Sequence, residues 1–131
     1  MDAPTIAAWV LRGIVAVIFL GMGINHFVPR SARGMARMIP PPLRRDGILK
    51  PMALVYFTGV CEILGGVGIL VPVTRLAAGI ALAVFLVAVF PANAYAARHP
   101  DRFGRLAIPF WPRLIAQVAL IALVLVAGLL G

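Results

Sequence analysis

An acid set in the middle of a run of apolar residues is the first feature of this chain that asks for a chemical explanation. Glu62 lies near the centre of the run from Met52 to Val71, where an ionisable side chain is costly in hydrocarbon and marks a functional site by default. Gly59 and Gly66 stand three before and four after it, so on a helix they share its face and let a neighbouring helix come close to the carboxylate. A ligand or proton role and a structural role, as a protonated or ion-paired group that locks helix packing, are equally open. Arg12 enters from the far end of the first apolar run and is the expected partner: an ion pair of Arg12 with Glu62 removes most of the cost of burying either. Snorkelling of Arg12 to the interface beside Trp9 is the alternative.

A second set of polar residues gathers toward the other ends of the runs. Asn25 and His26 close the first, Tyr56 and Thr58 open the second, Asn93 and Tyr95 lie in the third and Gln117 in the fourth. Singly each reads as interhelical glue; together they could line a small pocket that takes a ligand, with Glu62, Asn93, His26, Asn25, Tyr56 and Gln117 as its candidate residues. No metal site is expected, because the second histidine, His99, lies in a loop and no cysteine or carboxylate pair has ligand spacing. The stretch Gly65-Gly66-Val67-Gly68 sits inside an apolar span without a lysine or a strand, so close helix packing explains it and phosphate binding does not. Pro91 interrupts the third run and frees a backbone carbonyl one turn earlier, beside Asn93. Cys61 is the sole cysteine, which excludes an intrachain disulfide and a Cys-x-x-Cys redox pair.

These residues must be positioned by membrane helices. The chain is 63% hydrophobic and 12% charged with a mean hydropathy of +1.04, far from soluble composition. Its 131 residues leave room for a single domain, 1–131. Apolar runs at about 5–27, 52–71, 76–97 and 111–130 are each long enough to span as a helix, and hydrocarbon requires every backbone amide to be satisfied within its own segment. The expected fold is all-α, a transmembrane four-helix bundle. The start, Met1-Asp2-Ala3-Pro4, has no basic n-region, so the first run is read as a retained helix.

Charge sets the orientation. Arg30, Arg33, Arg37, Arg44, Arg45 and Lys50 fall between the first two runs, and Arg98, Arg102, Arg105 and Arg113 between the last two. Only Arg12 and Arg75 lie on the opposite side, and this positive-inside bias places loops 28–51 and 98–110 in the cytoplasm and both termini outside, in a cell inner membrane. The net charge of +8 therefore reports topology and excludes nucleic acid as the reading, since the cations alternate with apolar spans. Within the first loop, Arg30, Arg33 and Arg37 share one helical face and Ala32, Met35 and Ile39 another, the pattern of a short amphipathic interfacial helix ended by Pro40-Pro41-Pro42. The four-residue link Pro72-Val73-Thr74-Arg75 forces the second and third spans into a tight antiparallel hairpin.

Several blocks in order, Gly23-Ile24-Asn25-His26-Phe27, Met38-Ile39-Pro40-Pro41, Thr58-Gly59-Val60-Cys61-Glu62-Ile63-Leu64-Gly65-Gly66 and Phe90-Pro91-Ala92-Asn93-Ala94-Tyr95, give the chain a resemblance to the DoxX family of small four-helix membrane proteins. That resemblance implies a bundle whose relatives include subunits of thiosulfate:quinone oxidoreductase and parts of membrane complexes that handle oxidative and thiol stress. It points to His26, Glu62, Pro91 and Asn93. Redox branches built on cysteine pairs differ from this chain, which has Cys61 alone. Three functions follow as expectations: a redox accessory subunit holding a quinone-like hydrophobic ligand in the bundle; a non-enzymatic adapter whose basic loops bind anionic lipid and a protein partner; and a proton-coupled transporter acting as a homo-oligomer. No catalytic residue is assigned, and a redox role would need a partner protein to supply the electrons.

Overall fold

A computed structural model describes residues 2–47, 50–103 and 108–130. Four long helices dominate it: α1 (Ala3–Asn25), α3 (Pro51–Leu70), α4 (Arg75–Ala97) and α6 (Phe110–Leu129). Each is long and apolar enough to cross a membrane, and no strand occurs among the described residues. The chain is a multi-pass membrane protein with an all-α four-helix bundle fold. Two short helices complete it, α2 (Pro29–Arg37) in the first loop and α5 (Pro100–Phe103) in the third.

Helix boundaries follow from local chemistry. Asp2 caps α1, its Oδ1 accepting the Thr5 amide at 2.9 Å, with proline in the first turn, where a missing N–H costs nothing. Proline also opens α2 and α3. Between α3 and α4 the turn is closed by side chains: Thr74 Oγ1 donates to Gly68 O at 2.9 Å, and Arg75 Nε donates to Ile69 O at 3.0 Å. Carbonyls that the end of α3 leaves unpaired are thereby satisfied without water.

The helices run round the bundle in the order α1, α3, α4, α6, with α1 against α3 and α4 against α6 as the two extensive pairs and α1 returning to touch α6. Phe19, Val15 and Ala16 of α1, Ile69 of α3, Leu82 and Leu86 of α4, and Val124 and Ala127 of α6 form the core. Lipid is as apolar as this core, so burial alone cannot hold the helices together and close packing must. Small residues provide it. A Cβ on Gly79 would lie 2.8 Å from Val124 O and 2.9 Å from Gly128 Cα, so α4 and α6 meet backbone to backbone. The same occurs between α1 and α3, where a Cβ on Gly23 would stand 2.9 Å from Gly59 O.

The basic end of the bundle carries exposed cations on α2 as the arginine spacing predicts, and one cation falls elsewhere than the charge pattern has it. Arg30, Arg33 and Arg37 form the exposed face of α2, while Ala32 and Ala36, with Met35, pack against Val55 and Met52 of α3. Arg44 donates to Arg37 O and Ile39 O at 3.1 and 2.9 Å and so closes the C-terminus of α2. Met38 then buries against Ala96 and Phe103, tying the first loop to α4 and α5. The difference concerns Arg113, which lies within α6 and not in the loop before it, because the helix starts at Phe110. Arg105 lies outside the described residues.

Candidate functional site

Glu62 is 2% exposed and its side chain faces α1. Two structural rules put it there. Gly59 and Gly66 on its face admit α1 so closely that a Cβ on Gly59 would sit 2.7 Å from His26 Cβ, and one on Gly66 3.3 Å from Ala16 O. Side chains on a helix lean toward its N-terminus, so the carboxylate of Glu62 reaches toward the basic end, where α1 finishes. His26 is the C-cap of α1 and waits there.

The two groups meet: His26 Nδ1 lies 3.4 Å from Glu62 Oε2. The same nitrogen is 2.6 Å from Met22 O, which orients the ring. Glu62 Oε2 is buried without a hydrogen bond among the described residues, since the Nδ1 proton is directed to Met22. An acid oxygen is therefore held beside an imidazole with one hydrogen-bonding direction still open. This arrangement can exchange a proton, or accept a hydrogen bond from a polar group of a guest molecule.

Arg12 is not its partner. Contacts of Gly23 with Gly59 and of Gly66 with Ala16 fix an antiparallel register in which Glu62 is level with about residue 20 of α1. Eight residues at ~1.5 Å each put Arg12 roughly 12 Å farther along the axis, beyond the reach of its side chain. Arg12 instead donates from Nη2 to Leu130 O and lies over the Trp9 ring, 4.8 Å from its centroid. It is nevertheless 3% exposed, so it does not snorkel freely into solvent either.

The remaining polar residues divide among separate places. Gln117 is buried and donates from Nε2 to Leu86 O, between α6 and α4. Asn93 is half-buried on α4 about two turns beyond Leu86, with Nδ2 enclosed and unpartnered among the described residues. Tyr56 is exposed and stacks on Phe27, ring centroids 5.6 Å apart, roofing the basic side of the Glu62 site. Asn25 is exposed on the surface of α1 and faces away. Thr58 donates to Val55 O at 2.8 Å, and Tyr95 accepts from Arg102 at 2.9 Å. The single polar pocket expected from all four helices thus resolves into an α1–α3 site around Glu62 and His26, a Gln117 contact between α6 and α4, and a separate Asn93 farther along α4. Pro91 stays within a continuous α4.

Sequence reasoning missed Met22, whose carbonyl sets the His26 ring, although the Met22 to His26 spacing of one helical turn carries that signal. No group of three or more histidine, cysteine or acidic side chains able to hold a metal occurs among the described residues, and Cys61 is a free thiol.

Fold and site together define a small polytopic bundle with a buried acid–imidazole pair. Residues 15–127 match the model of a domain of unknown function, DUF8561, and the chain belongs to that family. No curated protein and no solved structure matches it.

Proposed function

We propose that this protein is an inner-membrane accessory subunit, akin to DoxX proteins, that holds a quinone-like hydrophobic ligand against Glu62 and His26 while a partner protein supplies the electrons. The observation that carries this reading is the fully buried Glu62 oxygen, 3.4 Å from an imidazole and lacking a hydrogen bond among the described residues. A quinone changes proton affinity when it is reduced, and a carboxyl–imidazole pair inside a bilayer is the kind of group that exchanges those protons. The Gly23–Gly59 approach positions both groups on rigid helices, and the stacked rings of Phe27 and Tyr56 offer an apolar rim. The positive-inside pattern supports a cytoplasmic basic end, so ligand and protons would meet near the cytoplasmic leaflet.

Photocrosslinking with an azido-benzoquinone in nanodiscs tests this. Label is expected on α1 and α3 peptides that contain His26 and Glu62, and its half-saturating concentration should rise about tenfold in a folded Glu62→Gln variant, the loss of one buried hydrogen bond. Labelling elsewhere, or unchanged in that variant, overturns the reading.

One observation favours the adapter as a second reading. Arg30, Arg33 and Arg37 form an exposed row on α2, whose other face is docked on α3. Such a row suits anionic lipid or an acidic partner surface. Loss of co-purifying protein when the three become glutamine, with Glu62→Gln without effect, would favour it over the ligand site.

A further inference from the structure

We propose that the opposite end of the bundle, where the α3–α4 hairpin turns, holds an oxyanion site in which Arg12 and Arg75 grip a phosphate or carboxylate group beside Trp9. This end of the bundle lies apart from the Glu62 site and shares none of its residues.

Both arginines are buried, 3% and 6% exposed. Their guanidinium carbons lie 4.8 and 5.3 Å from the centroid of one indole ring, so two positive charges share a single tryptophan. Neither meets a carboxylate among the described residues, where the one acid–base contact is His26 with Glu62. The acid inventory explains why. Of four acidic residues, Asp46 and Asp101 belong to the basic end, Glu62 is paired within the bundle, and Asp2 accepts the Thr5 amide as a helix cap.

Other contacts offset only part of the cost of these charges. Arg75 donates from Nε to Ile69 O at 3.0 Å and from Nη2 to Leu70 O at 3.3 Å, and Arg12 donates from Nη2 to Leu130 O. Arg12 Nε is buried with no partner among the described residues. A guanidinium N–H buried without an acceptor is among the costlier defects a fold can carry, and leaving two like charges together adds to it.

Space for the missing acceptor lies alongside. A cleft of about 470 Å³ opens here, lined by Thr5, Trp9, Arg12, Pro72, Arg75 and Leu130. That volume suits a small molecule or a lipid headgroup. Planar guanidinium forks match the oxygens of phosphate and carboxylate, and the indole face holds the two cations in place while one anion neutralises both. The guest is an oxyanion delivered either free in solution or as the headgroup of a lipid in the adjoining leaflet.

The test uses the full chain with Trp111→Phe, a change at an exposed position at the other end, so that Trp9 alone fluoresces. In nanodiscs of a neutral galactolipid, which carries no phosphate, inorganic phosphate is titrated against chloride at equal ionic strength; in parallel, discs containing phosphatidylglycerol are compared. A saturable Trp9 emission change and a raised Tm with phosphate assign a free oxyanion. The same changes only with phosphatidylglycerol assign a headgroup. In either case Arg12→Lys, which keeps the charge and loses the fork, should weaken the response about tenfold. No change in emission or in Tm from either source in the unaltered cleft overturns the proposal, as does a folded Arg12→Lys protein that responds as the parent does.

Discussion

At the scale of single residues, glycines separate into those that hold the bundle and those that do not. Gly79 and Gly128 touch through their backbones, with nothing flexible to yield, whereas a Cβ on Gly21 would meet nothing within 4 Å. Gly79→Ala should therefore lower unfolding stability by about 1–3 kcal/mol through overpacking, while Gly21→Ala should leave it unchanged or slightly raised. Reversible unfolding in mixed detergent micelles measures both; equal effects would show that the backbone contact is not what joins α4 to α6. Single residues also mark where sequence reading reaches its end. Glu62 could be recognised because cost alone singles out an acid at that depth, and its facing glycines follow from helical periodicity. Its partner could not, because the choice between Arg12 and His26 depends on the axial offset of α1 against α3, and composition is blind to offset. Arg75 was hidden for a related reason: a cation in a short turn reads as surface until the turn is seen folding it back over Ile69 and Leu70.

Elements were more legible than the contacts between them. All four spans appear within a few residues of the apolar runs, since length and hydropathy are local properties and proline marks the starts of α1, α3 and α6. The α2 face was readable from the arginine spacing, but its docking was not: Ala32 and Ala36 are too small to announce a contact, and smallness is what brings α2 onto Val55. Ala32 is fully buried there. Ala32→Leu should force α2 away from α3, costing about 1–3 kcal/mol and increasing protease cleavage of the first loop in detergent. The α3–α4 hairpin depends on a different device. Thr74→Val removes the hydroxyl bond to Gly68 O and should cost about 1 kcal/mol, visible as a lower Tm. An unchanged Tm would mean that the turn is held by Arg75 and helix packing without it.

For the whole molecule the open question is which way it crosses the membrane, because the two ends carry different chemistry. Arg30, Arg33 and Arg37 are exposed at one end, and at the other the hairpin presents Val73, 92% exposed, with two buried arginines beneath it. If cations at the basic end are retained on the cytoplasmic side, the quinone-like ligand proposed at Glu62 is reached from the cytoplasmic leaflet and the oxyanion cleft from the outside. Two single-cysteine proteins in a Cys61→Ala background decide this. Val73→Cys should react with a membrane-impermeant maleimide on intact spheroplasts, and Arg33→Cys only after the membrane is opened. The reverse pattern would turn the molecule over, exchanging the compartments that its two sites face, while leaving the internal geometry of both unchanged. Dual reactivity in intact cells would show insertion in both directions, a state in which antiparallel copies could pair and each leaflet would meet both sites.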